Sequence, residues 1–185
     1  MLINEEIIPI KRGTNQPLQL QLRTASEEDA KLLIDYLKRV CAESRYLLKE
    51  PEEVTMTLEQ ETAFIQNTNA SGNKLLLLGF LDGNYVGNCS ITGMDTVRHL
   101  HRASVGIALF QKYTGMGIGR AMLEKLIAVA KETGFEQVEL EVVAENERAI
   151  RLYKNMGFEI YGTFPHSMKY KDGTYADAYW MMKKL

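Results

Sequence analysis

The chain has 185 residues, 45% of them hydrophobic and 25% charged, with a formal net charge of -2; this is ordinary globular composition and enough length for one well-buried core. A near-neutral balance without a basic stripe supplies no electrostatic footprint for nucleic acid. The start, Met1-Leu2-Ile3-Asn4-Glu5-Glu6, lacks the basic and apolar regions of an export signal, and no later segment is apolar for long enough to span a membrane, so a cytoplasmic protein without a membrane partner is expected.

In chain order, residues 1–17 read as a short strand and a turn ahead of the core. Residues 18–23 alternate with period two, which predicts a strand with one apolar face. Ser26 is the expected cap of a helix that buries Ala30, Leu33, Ile34, Leu37, Val40 and Cys41 at helical spacing. A loop or broken helix around Pro51 follows, and the Thr57 and Gln60 pair is a capping-box pattern for a second helix to about Asn67. Residues 74–81 and 85–92 form a hairpin about Asp82-Gly83-Asn84. A strand over about 98–110 then feeds a glycine-rich turn, and a helix over 117–131 buries Ile118, Met122, Leu126, Val129 and Ala130. A strand over 138–143, a helix over 146–156 and a closing hairpin around Lys171-Asp172-Gly173 complete the chain. Without a repeat or linker, residues 1–185 are expected to form one mixed α/β domain, with its core at about 18–184.

Cys41 and Cys89 lie far apart without metal-ligand spacing, so small buried hydrophobes are expected and no metal site is. Asn69-Ala70-Ser71 and Asn88-Cys89-Ser90 match the glycosylation pattern, by chance where there is no export.

The glycine turn, Thr114-Gly115-Met116-Gly117-Ile118-Gly119-Arg120, joins an apolar strand to an apolar helix. Backbone without Cβ atoms can approach an anion closely, and the following helix aims free N–H groups and its positive dipole end at it. A Walker loop requires Lys-Ser/Thr after the last glycine, where Arg120-Ala121 stands; a dinucleotide fingerprint requires G-x-G-x-x-G, whereas the spacing here is G-x-G-x-G. A plain strand-to-helix turn rarely needs three glycines. A diphosphate cradle is the expectation.

The segment resembles the coenzyme A loop of the GCN5-related N-acetyltransferases, Gln/Arg-x-x-Gly-x-Gly/Ala, with Thr114 in place of the first Gln or Arg. A second stretch, from Asn146 through Ala149 and Tyr153 to Gly157-Phe158, resembles that family's Asn-x-x-Ala-x-x-x-Tyr-x-x-x-Gly-Phe motif, and the likeness extends over about residues 18–184. It implies a mostly antiparallel central sheet flanked by helices. It also implies acetyl-CoA as acyl donor, held by Ile107, Ala108 and Leu109, by Thr114, Gly115, Met116, Gly117, Ile118, Gly119 and Arg120, and by Asn146, Ala149 and Tyr153. Read from the residues alone, Asn146 is also a good helix cap and Tyr153 a good core aromatic. The different-class alternative is a non-catalytic acyl-CoA-binding sensor.

Acetyl transfer to an amine needs an uncharged amine, a stabilised oxyanion and a proton for the leaving thiolate. A lysine-like amine of pKa about 10.4 is free base about once in 2,500 molecules at pH 7, equivalent to roughly 4.6 kcal/mol. Glu141, opposite in facing to Leu140 and Val142 by alternation, is the candidate base, and it matches a carboxylate with that role in some peptide N-terminal members of the family. His99 and His101 are its rivals. Tyr153 is the candidate acid, and a backbone N–H near Leu109 the candidate oxyanion donor. The acceptor is expected to be a small-molecule amine, an amino acid, or a protein N-terminus or lysine, met by Tyr46, Glu52, Glu53, His166 and Tyr170. A homodimer is a further expectation.

Overall fold

The computed structural model describes residues 1–10 and 18–185, so the turn expected over residues 12–17 lies outside the described residues. The elements are β1 (Glu6–Ile10), β2 (Leu18–Thr24), α1 (Ala30–Glu43), α2 (Leu58–Ala70), β3 (Lys74–Leu81), β4 (Asn84–Gly93), β5 (Arg102–Leu109), α3 (Ile118–Glu132), β6 (Gln137–Val143), α4 (Glu147–Asn155), β7 (Glu159–Lys169) and β8 (Tyr175–Lys184). The strands form one sheet in the order β1-β2-β3-β4-β5-β6-β8-β7. Every neighbouring pair is antiparallel except β5 and β6. The mixed, mostly antiparallel α/β architecture matches the sequence reading.

Alternation along the strands sorts side chains between two covers. On one face α3 sets Ile118, Met122, Leu123 and Leu126, none of them accessible to solvent, into a cluster with Leu75, Leu77, Ile91, Val138 and Leu140. On the other face Leu33 of α1 and Ile65 of α2 lie over Leu76 and Leu78. This second cover reaches as far as a cluster of Tyr36, Val40 and Phe110; beyond it Tyr161, Phe164 and Trp180 of β7 and β8 are partly open to solvent.

Local signals behave as their chemistry requires. Thr57 and Gln60 exchange hydrogen bonds, Thr57 N–H to Gln60 Oε1 at 2.9 Å and Gln60 N–H to Thr57 Oγ1 at 3.3 Å, and the helix they open runs on to Ala70. The hairpin at Asp82 and Gly83 uses positive φ at both residues, the geometry that suits the twist of two strands. Two boundaries differ from expectation. Ser26 does not cap α1 by accepting: its N–H and hydroxyl both donate to Asp29 Oδ2, at 2.7 and 3.0 Å, and a 3-10 turn over Glu27–Asp29 precedes the helix. Strand β5 starts at Arg102 rather than 98, because Val97–His99 closes a 3-10 turn in which His99 N–H donates to Thr96 O at 2.7 Å.

Asp29 joins the end of β2 to the start of α1. Both its oxygens accept from the Arg23 guanidinium at 2.7 Å, with side-chain exposure of only 9% for the carboxylate. Burial alone would raise the Asp29 pKa, but the Arg23 fork and the Ser26 donors outweigh it and hold the carboxyl below its usual range. A lowered native pKa contributes stability that is present above the unfolded-state value of about 3.9 and is lost as pH falls through the native value. Asp29→Asn is therefore expected to cost on the order of 2 kcal/mol at pH 7. In denaturant titrations the gap from the parent protein should narrow below about pH 4.

Candidate active site

The one parallel pairing in the sheet is short. Arg102, Ala103 and Ser104 of β5 register with Gln137, Val138 and Glu139 of β6, and beyond that point the strands part. Each keeps its outer partner: β5 remains on β4 as far as Leu109, and β6 on β8 as far as Val143. The vertex is clamped by a two-pronged pair, Arg102 Nη2 to Glu139 Oε2 at 2.7 Å and Arg102 Nε to Glu139 Oε1 at 3.1 Å. Backbone direction along β5 follows from its ends. Arg102 O accepts from Met94 N–H at 3.2 Å and Phe110 N–H donates to Val86 O at 3.0 Å, so the even-numbered residues turn toward β4. By alternation the odd-numbered residues turn toward β6, so Ile107 and Leu109, beyond the last paired residues, present their N–H and C=O to the gap.

A cleft of about 1410 Å³ occupies this gap, lined by residues 105–109 of β5 and 141–143 of β6 among others. At one end is the glycine turn. Gly115 and Gly117 have φ of +77° and +84°, a left-handed backbone that side chains disfavour. A Cβ on Gly119 would meet Leu152 at 3.4 Å and Leu109 at 3.6 Å, ordinary contact distances that place this position against the cleft wall without requiring a glycine. Gly117 is the cap residue of α3 and offers no side chain to the first turn, which also contains no acidic residue. The uncapped N–H groups at Ile118 and beyond are a ready anion site.

Helix α4 starts at the opposite side of the gap. Asn146 accepts from Ala149 N–H at 3.2 Å through its side-chain oxygen, so it caps the helix and lines the cleft together. Tyr153, two turns on, is 7% exposed, packs on the Phe158 ring at 5.8 Å and lines the same cleft; burial pushes its phenol up to about 12. On β6, Leu140 and Val142 are buried and Glu141 reaches the cleft from the other face. Its two oxygens accept from Ser167 Oγ at 2.7 Å and Trp180 Nε1 at 3.1 Å, so the carboxylate is held from β7 and β8. No group of three or more His, Cys, Asp or Glu side chains able to hold a metal is found among the described residues, and no helix is long and apolar enough to cross a membrane.

Residues 31–158 match the model of the Acetyltransferase (GNAT) family. The chain belongs to that family. It is 33% identical over 110 residues to the L-amino acid N-acetyltransferase AaaT of Escherichia coli (strain K12), covering 58% of this chain and 66% of the relative; the chain spans two thirds or less of the length of the curated relatives it matches. Among solved structures, an acetyltransferase of the GNAT family from Streptococcus pneumoniae superposes with a TM-score of 0.85 at 29% identity, over 90% of this chain and 99% of the other. A phosphinothricin acetyltransferase from Sinorhizobium meliloti in complex with AcCoA has a TM-score of 0.78 at 18% identity, over 90% and 88%, and shares the fold.

Within this GNAT fold most of the expected site residues come together. Ile107, Ala108, Leu109, Thr114, Gly115, Gly117, Gly119, Arg120, Glu141, Asn146, Ala149, Tyr153 and Tyr46 all line the cleft. Ile118 is in the core and Met116 packs against it. The other expected acceptor residues lie outside the cleft. Glu52 pairs with Lys171, Glu53 Oε2 accepts from Glu50 N–H at 2.8 Å, and His166 stacks on Tyr175 at 4.6 Å between centroids. The Tyr170 ring lies beneath the Arg45 guanidinium at 4.1 Å. His99 and His101 precede β5, His101 roughly 20 Å of extended strand from Ile107, whereas Glu141 lines the cleft.

Three contacts escaped sequence reasoning. Tyr36 of α1 donates to Ala108 O at 2.7 Å and so braces β5 from behind. Arg45 lines the cleft 3.8 Å from Glu145. Arg148 donates to Thr114 Oγ1 across the cleft mouth. Only Tyr36 carried a sequence signal, its place on the apolar stripe of α1. A glycine matters here as well: a Cβ on Gly87 would lie 2.3 Å from Ala108 O and 2.8 Å from Leu109 Cα. Gly87→Ala is expected to displace the open end of β5 and to destabilise the protein by on the order of 2–3 kcal/mol, checked by denaturant titration.

Proposed function

We propose that this chain transfers an acetyl group from acetyl-CoA to a primary amine, by direct attack in a ternary complex. The observation that carries the reading is the coincidence at one cleft of the open backbone of β5, the uncapped start of α3 and a buried tyrosine. A diphosphate on the uncapped N–H groups would let an extended arm run between β5 and β6, where the N–H and C=O of Ile107 and Leu109 face the gap. The thioester would then lie beside Tyr153, with the Leu109 N–H donating to its developing oxyanion.

In this scheme the amine nitrogen forms a bond to the thioester carbonyl carbon and the carbon–sulfur bond breaks. The amine proton passes to Glu141, directly or through water, and Tyr153 donates a hydrogen bond to the departing sulfur. Arg45 at the cleft favours an amino acid acceptor over a peptide amine, because a carboxylate next to the reacting amine would have a partner. The end of α1 and the segment after it are also tied down, by Gln111 N–H to Glu43 Oε2 at 2.8 Å and by Lys171 to Glu50 at 3.3 Å. That AaaT is by name an L-amino acid N-acetyltransferase supports the same choice. A cytoplasmic setting suits two free, buried cysteines.

The direct test follows thiol release from acetyl-CoA with a panel of amino acids, small amines and peptides. Tyr153→Phe is expected to keep the fold and acetyl-CoA binding while turnover falls on the order of ten- to a thousandfold; unchanged turnover with rate-limiting chemistry returns Tyr153 to a packing role.

Glu141→Gln is expected to depress turnover most near neutral pH. Raising the pH supplies free amine without a base, so the deficit should shrink under alkaline conditions. A pH–rate profile parallel to that of the parent protein would remove Glu141 from the base role.

A further inference from the structure

Three guanidinium groups surround the glycine end of the cleft, those of Arg120, Arg148 and Arg151. Two are already neutralised along their own helices: Arg120 Nε is 2.9 Å from Glu124 Oε1, and Arg151 Nη1 is 3.1 Å from Glu147 Oε2. Arg148 has no carboxylate partner among the described residues, and the residues not described include no Asp or Glu. Its guanidinium instead reaches from α4 to the Thr114 hydroxyl, a neutral group that itself donates to Gln111 O at 2.7 Å. Arg148 is also in the first turn of α4, where the helix dipole opposes a cation. An unpaired guanidinium in that position, fixed over the first residue of a loop built for an anion, is an arrangement that bound negative charge would complete.

We propose that Arg148 is a coenzyme A-binding residue that takes the diphosphate from the α4 side, with Thr114 as its anchor. The proposal rests on the acetyl-CoA reading above. It gives the departure at Thr114 a physical sense: the position that lacks a long polar side chain of its own receives a guanidinium from another element. Two clamps then act on one group, backbone N–H donors from α3 and a charged fork from α4, so that binding the diphosphate would also fix the separation of the two helices.

The test is calorimetric titration of acetyl-CoA, of CoA and of dephospho-CoA, which differs from CoA only in lacking the 3′-phosphate, into the parent chain and into Arg148→Gln and Arg148→Lys. The site is exposed, so the apo melting temperatures should agree. Arg148→Gln is expected to weaken acetyl-CoA binding about tenfold, the effect of one charge-assisted contact at an accessible site, and to raise KM for acetyl-CoA with little change in kcat. Arg148→Lys should recover part of the loss, and the salt dependence of binding should be shallower in Arg148→Gln. The same penalty should appear with dephospho-CoA. Binding by Arg148→Gln equal to the parent overturns the assignment, and a penalty seen with acetyl-CoA and CoA but not with dephospho-CoA overturns it in favour of the 3′-phosphate. Failure of the parent chain itself to bind acetyl-CoA marks failure of the underlying reading.

Discussion

The separation of β5 from β6 is the constraint on which the rest of the molecule depends. A sheet interior normally pairs every backbone N–H and C=O, because burying them unpaired costs about as much as losing the hydrogen bonds. Here Ile107 and Leu109 leave theirs facing a gap, and that cost is tolerable only if the gap stays wet or receives a ligand with its own donors and acceptors. The surroundings prevent the gap from closing. Beta strands β4 and β8 hold the outer edges, Tyr36 grips Ala108 O from behind, and the start of α3 lies beside Leu152 and Leu109 at Gly119. The Arg102 and Glu139 pair closes the vertex.

The same split aligns two helix starts. Helix α3 follows β5 through the glycine turn and α4 follows β6 through a short connection, so strands that diverge deliver two helix N-termini to one cleft. Their partial positive charges add, and the first turn of α3 has no acidic residue to offset them. The opposite face of β6 is built differently. Glu141 comes from the opposite strand face, and its donors Ser167 and Trp180 belong to the closing hairpin. The two helix starts and the Glu141 carboxylate thereby reach the cleft from different faces of one sheet.

What the sequence made legible was local or periodic. Period-two alternation placed Glu141 opposite Leu140 and Val142, helical spacing placed Asn146 and Tyr153 on one side of α4, and the glycines located a turn whose positive φ values the structure shows. What it left hidden depends on distant pairing. Glu52 and Glu53 read as free carboxylates because nothing near them in sequence shows Lys171 or the Glu50 N–H that engages them. His166 read as an acceptor-site residue, but a bulge in β7 turns its backbone to φ +52° and sets its ring on Tyr175. Arg148 is an ordinary polar helix residue by pattern, and its contact with Thr114, 34 positions away, exists only because two diverging strands bring two helix starts together.

The burial of Tyr153 bears on the chemistry proposed for it. Against an ordinary phenol near 10, transferring a proton to a thiolate near 8.5 is uphill by about 2 kcal/mol. With burial pushing the phenol up to about 12, the same transfer to a thiolate still open to solvent becomes steeper. Full donation to the leaving sulfur is then the weaker description, and the buried hydroxyl is better suited to remain protonated and hydrogen-bond the sulfur as charge develops there. A donor of this kind works best where water is excluded and the geometry is fixed in advance, which is what packing against Phe158 provides. The sulfur would be left to acquire its proton from solvent once the products separate, so in the proposed scheme the tyrosine would act on the barrier without itself changing charge.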